Sequence, residues 1–154
     1  MIKQFTVLLV LLFLFSSCDS KRVFEADRDF DNEVWQMDTI PVFAFEIEDL
    51  SPKNLVIKLR TDLTYPYQNC YVNYKLKDVD GNVIVSDLLS LQLFDDKTGK
   101  PQGKGNSIYQ FKEAILSDYA FSKTGEYRIE FAQYMRTSEL SGIYSAGIRV
   151  EDSE

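Results

Sequence analysis

The chain has 154 residues, with 24 Asp and Glu against 17 Lys and Arg, a net charge of −7 at pH 7 and no histidine. An acidic balance without clustered basic residues excludes nucleic-acid binding, which draws its affinity from neutralised phosphates. The missing histidine excludes Ser-His-Asp and Cys-His catalysis and removes the commonest zinc ligand.

The first element is the apolar run Phe5–Phe15 behind Lys3, too short for the roughly 20 residues that cross a bilayer. It is followed by Ser16-Ser17-Cys18, and Phe15-Ser16-Ser17-Cys18 resembles a bacterial lipobox. Residues 1–17 therefore read as a signal peptide and Cys18 as the cysteine that signal peptidase II leaves lipidated. An ordinary signal peptide with Cys18 as a thiol is the alternative. Removing residues 1–17 leaves 137 of the 154 residues, enough for one domain with a sizeable core, and takes the net charge to about −8. Lipid on Cys18 is then the membrane link, and the periplasmic face of the outer membrane is preferred to the inner membrane.

Residues 18–33 are dense in charge and poor in periodicity, which marks a lipidated acidic tether. Asp27, Asp29 and Asp31 stand at the first three ligand positions of a calcium loop, with Asp38 at its twelfth. Asn32 replaces the turn glycine of such a loop and Asp38 is shorter than its bidentate Glu, so a solvated linker accounts for the pattern. No metal and no cofactor are expected.

Residues 34–154 are read as the folded domain. Phe43, Phe45 and Ile47 alternate with Val42, Ala44 and Glu46, and Leu55, Ile57 and Leu59 with Val56, Lys58 and Arg60, as in half-buried strands. Pro52 lies in the turn between them. Cys70, the one other cysteine, shares a strand face with Val72, Tyr74 and Leu76 and reads as a small buried hydrophobe. Asp80-Gly81 predicts a tight hairpin turn into Val83-Ile84-Val85. The loop from Asp95 to Gly105 has three residues between Gly99 and Gly103, and Gly105 after Lys104, so it departs from a phosphate-binding loop. Lys112–Ser117 is the one candidate for a helical turn. Tyr127, Ile129 and Phe131 then point inward along a strand, as do Ile148 and Val150 on the last one. Many short strands with almost no helix predict an all-β fold, an antiparallel two-sheet β-sandwich that is immunoglobulin-like or jelly-roll-like.

A carboxylate pair of the glycosidase kind is not excluded by counting, but the acidic residues fall mostly at outward strand positions and turns, so no enzyme is expected. Tyr65, Tyr67 and Tyr109 sit at strand ends or loops. Tyr65 and Tyr67, flanked by Arg60, suit a protein contact or stacking on sugar if exposed, and a packed strand entry if buried.

Arg60, Tyr65-Pro66-Tyr67-Gln68-Asn69, Gly99 to Gly105, Gly125-Glu126-Tyr127, Gln133-Tyr134-Met135-Arg136, Leu140-Ser141-Gly142-Ile143 and Ala146-Gly147-Ile148-Arg149-Val150 occur in an order that, with the lipobox, resembles the gliding motility lipoprotein GldH family of the Bacteroidota. Pro101-Gln102 departs from the aromatic or aliphatic residues expected in the glycine loop. The resemblance implies a cell-envelope lipoprotein needed for surface gliding that works alongside type IX secretion, without enzymatic activity. Its partners would be other envelope and gliding proteins, with Arg60, Tyr65, Tyr67 and Arg136 as candidate contact residues. A glycan-binding envelope lipoprotein is the alternative, and it requires coplanar exposed rings.

Overall fold

The computed structural model describes residues 19–153. Its eleven strands are β1 (Arg22–Asp29), β2 (Val34–Gln36), β3 (Val42–Ile47), β4 (Lys53–Thr61), β5 (Asn69–Lys77), β6 (Val83–Gln92), β7 (Lys104–Gly105), β8 (Tyr109–Tyr119), β9 (Gly125–Gln133), β10 (Glu139–Ser141) and β11 (Ile143–Asp152). They form a five-stranded sheet in the order β1-β11-β4-β8-β7, a four-stranded sheet in the order β3-β9-β5-β6, and a ribbon of β10 and β2.

Every pairing is antiparallel, and the eight long strands follow one rule. The first pairs with the last (β1 with β11), the second with the seventh (β3 with β9), the third with the sixth (β4 with β8), and the fourth with the fifth (β5 with β6). One long hairpin rolled up on itself gives this order, so of the two expected sandwiches the chain adopts the jelly roll. The apex of the hairpin is the turn predicted at Asp80-Gly81. There Gly81 has φ +85, and Asp78 Oδ1 accepts the amides of Asp80 at 3.0 Å and Asn82 at 2.8 Å.

The predicted inward faces form the core. Phe45, Ile47, Leu76, Ile129 and Phe131 of one sheet meet Leu55, Ile57, Leu59, Ile148 and Val150 of the other, all buried. Each such side chain contributes about 1.5–3 kcal/mol through removal from water. Cys70 lies among them, and burial pushes its thiol up to about 12. A thiolate is the reactive form, so Cys70 is expected to stay unmodified by a maleimide in the native protein and to react fully in denaturant. Labelling at equal rates in both states would contradict that placement.

Two expectations are corrected. Of the tether expected over 18–33, the described residues from 19 onward are part of the fold, because Arg22–Asp29 is a strand on the edge of the larger sheet and Phe30 is buried against Trp35, with ring centroids 5.0 Å apart. Its alternating charges are the outer face of that edge strand, while Phe24 and Ala26 pack inward. The folded domain therefore begins well before residue 34. The helical turn expected at Lys112–Ser117 is the middle of β8, held by registers such as Lys112↔Lys58 and Ala114↔Val56. Ladder pairing overrides helix propensity there, and irregularities opposite Leu55 take up the mismatch.

Candidate contact surface

The sandwich has two ends. One holds the start of β1, the end of β11, the turn at 48–52 and the β5–β6 apex, and is called the proximal end. The distal end holds the β4–β5 connection, the β2–β10 ribbon and the turn after β9, and it gathers Arg60, Tyr65, Tyr67 and Arg136. Cys18 lies outside the described residues.

The distal end is built on Asp62 and Gly142. Asp62 Oδ1 accepts the Thr64 amide at 2.8 Å and its hydroxyl at 2.6 Å, while Oδ2 accepts the Tyr144 hydroxyl at 3.1 Å. Burial alone would raise the carboxyl, but these bonds outweigh it and hold it below the ordinary range. Gly142 has φ +80, and a Cβ there would lie 2.5 Å from the Tyr65 nitrogen, so Leu140-Ser141-Gly142-Ile143 needs its glycine for close approach. The buried Gln133 shapes the next motif. It donates to the Thr137 carbonyl at 2.8 Å and accepts the Met135 amide at 2.9 Å, which leaves Tyr134 and Arg136 facing solvent.

The predicted aromatic pair separates. Tyr65 is 5% exposed, donates to the Asn69 carbonyl at 2.8 Å and stacks against Phe94. Tyr67 is 43% exposed and lies at 73° to Tyr65. Tyr109 is half-buried, with its hydroxyl on the Asn106 carbonyl. These three rings form no coplanar platform, so they do not supply what stacking on a sugar requires. Arg60 is half-buried, 4.0 Å from Asp29.

A broader surface went unread in the sequence. On the outer face of the four-stranded sheet, the register places Leu88, Asn73 and Ala132 in one row. Tyr134 donates its amide to the Tyr71 carbonyl, and Ile40 and Val42 lie at the β3 edge beside β9. Ile40, Val42, Tyr71, Leu88 and Tyr134 are all exposed. Apolar residues at outward strand positions were the available signal, since a solvated face is normally polar there.

The outer face of the larger sheet is electrostatic. Lys58, expected to face solvent, is only 3% exposed, with its ammonium 2.6 Å from Glu25 and 2.7 Å from Asp27 on β1. It crosses β11 at Gly147, the residue paired with both Lys58 and Asp27. Arg149 extends the network to Glu25, Glu151 and Asp19. The Lys58 hydrogen bond lowers the Glu25 carboxyl below its ordinary 4.5, against the upward push of burial. A lowered carboxyl stabilises the fold above its unfolded value, and the effect is lost as pH falls through the folded value. Lys58→Met is therefore expected to cost about 2 kcal/mol at neutral pH, reduced from the value for a fully buried pair because both carboxylates are partly exposed. Its denaturation midpoint should also vary less between pH 5 and 3 than that of the parent. Parallel pH profiles for the two chains would refute the role given to Lys58.

Of the acidic residues in the calcium-loop pattern, Asp27 and Asp29 lie on β1, where Asp27 is bound to Lys58. In the glycine loop, Asp95 Oδ1 accepts the amides of Lys97 at 3.1 Å and Thr98 at 2.7 Å, so these two amides are engaged within the loop.

Comparison with known proteins gives consistent matches. The family model described as GldH lipoprotein matches residues 22–150. A gliding motility lipoprotein GldH of Flavobacterium johnsoniae is 30% identical over 99% of this chain and 99% of its own length. A gliding motility lipoprotein GldH homolog of Christiangramia forsetii is 29% identical over 96% of this chain and 94% of its own. Among solved structures, a family GH115 4-O-methyl-alpha-glucuronidase is similar with a TM-score of 0.50 at 7% identity, over 90% of this chain and 18% of that one, a likeness of fold alone.

Proposed function

Because the chain belongs to the GldH lipoprotein family, we propose that it serves gliding motility as a lipid-anchored, non-catalytic assembly factor in the cell envelope, linked to the type IX secretion machinery. Cys18 carries the lipid, at the periplasmic face of the outer membrane, and the domain acts through contacts with other envelope proteins. The observation that carries this reading is the division of the surface. Asp62 and Gln133 at the distal end and Asp95 in the glycine loop are engaged in holding the fold, whereas Tyr67, Tyr134, Leu88 and Val42 are left exposed around Arg136 and the adjoining sheet face. Aromatic and aliphatic groups beside an arginine suit a protein partner.

Cys18→Ala is expected to move the protein from the membrane fraction to the soluble fraction and to abolish incorporation of labelled fatty acid. Retention in washed membranes without lipid would overturn the anchor. Photo-crosslinkers at Tyr67 and Arg136 in gliding cells should capture envelope proteins that a crosslinker at the half-buried Tyr109 does not, and equal capture at all three would remove the contact surface.

A further inference from the structure

Resting on the lipidation of Cys18 proposed above, we infer that the proximal end of the sandwich sits on the bilayer, with Leu50 and Val79 at its contact points. The distal surface is held on the order of 30 Å above it, the length of the long strands at about 3.3 Å per residue.

The absence of a tether is the first support. Asp19 follows Cys18 directly, and its carboxylate lies 2.6 Å from Arg149. The Asp19 carbonyl accepts the Arg22 amide at 3.3 Å, and the Lys21 carbonyl accepts the Asp152 amide at 2.8 Å. The chain is thus held from the residue after the anchor, and the three residues 19–21 span at most about 11 Å even if extended. A domain so closely attached has little freedom to turn its far end toward the membrane.

The second support is what this end presents. Leu50 is 51% exposed at the tip of the β3–β4 turn, and Val79 is 38% exposed at the tip of the β5–β6 turn. Such positions are ordinarily polar. Both turns satisfy their own amides, Asp49 accepting from Ser51 at 2.9 Å and Asp78 from Asp80 and Asn82, so each tip can enter the headgroup region without stranding these donors. Three carboxylates of this end are paired within the protein, Asp49 and Asp152 with the buried Lys53 and Asp80 with Lys123 at 3.2 Å. That pairing reduces repulsion from anionic lipid. Two apolar tips beside the acyl anchor add buried apolar area to the attachment and fix its orientation.

The test uses the lipidated full chain with a fluorophore attached through Leu50→Cys, Val79→Cys or Arg136→Cys. It is reconstituted in phosphatidylcholine vesicles containing brominated lipid. Loss of fluorescence is expected at the first two positions, and none beyond the bromine-free control at the third. A Gly-Ser insertion between Cys18 and Asp19 should erase the difference. Protein that fails to float with vesicles overturns the anchor and the orientation together, while protein that floats but quenches equally at all three positions overturns the orientation alone.

Discussion

Gly147→Val is expected to destabilise the domain by about 3 kcal/mol and to release β1 from the sheet. A Cβ at this position would lie 2.1 Å from Asp27 Oδ1 and 2.6 Å from the Ala26 carbonyl oxygen. The carboxylate can swing away, but the carbonyl belongs to the backbone of β1, so the strands must part. Parting them also separates Asp27 from Lys58, whose ammonium is already nearly sealed from water. Glycine weakens most strands through entropy, and its presence here is explained by the Asp27 carboxylate and the β1 backbone that lie against it. Chemical denaturation measures the loss, and amide exchange should show it concentrated in Arg22–Asp29. Gly147→Ala, which carries the clashing Cβ, should exchange in the same segment. Parent-like denaturation of the valine variant would show that β1 does not depend on this crossing.

The crossing ties attachment to folding. Lys58 and Arg149 hold β1 through Glu25 and Asp27, and Arg149 also holds Asp19, the neighbour of the proposed lipid site. A pull on the anchor is therefore delivered to the centre of the five-stranded sheet, since β11 and β4 lie next to β1 in its order. An acidic tether would instead dissipate it. With the lipid proposed at Cys18, the domain would be a stiff extension of its anchor, as the proposed assembly role requires.

The sandwich was legible because its inward residues repeat with period two. Phe43, Phe45 and Ile47 are buried and their neighbours exposed, as the alternation requires. The hairpin apex was legible because Gly81 supplies a conformation other residues avoid. Arg22–Asp29 was misread because an edge strand needs few inward apolar residues, and Phe24 and Ala26 are too sparse to mark it among the five charged residues of the strand. Lys58 was misread because its burial comes from β1 and Gly147, distant in sequence. Of the candidate contact residues, Tyr67 and Arg136 are exposed, whereas Tyr65 is enclosed by Phe94 and the close approach of Gly142. Local sequence shows which residues stand at a strand end, but packing from the other sheet decides which one reaches water.

Trp35→Ala is expected to cost about 3–5 kcal/mol, because a fully buried indole leaves a cavity that its neighbours fill only in part. Its Nε1 donates to the Thr39 carbonyl at 2.8 Å, its ring stacks on Phe30, and its backbone pairs with Leu140 in the ribbon. These contacts join three separate segments of the distal end. Trp35→Phe restores much of the apolar contact but leaves the Thr39 carbonyl without its donor, a loss of about 1–3 kcal/mol. Urea denaturation should therefore rank the parent above the phenylalanine variant and that above the alanine variant. A phenylalanine variant as unstable as the alanine one would show that the hydrogen bond outweighs the packing. Tyr67→Ala and Arg136→Ala, which alter exposed side chains at the same end, should leave stability within about 0.5 kcal/mol of the parent. If they still lose crosslinked partners, contact is separated from folding, because Trp35 keeps the distal end in shape while Tyr67 and Arg136 meet what it binds.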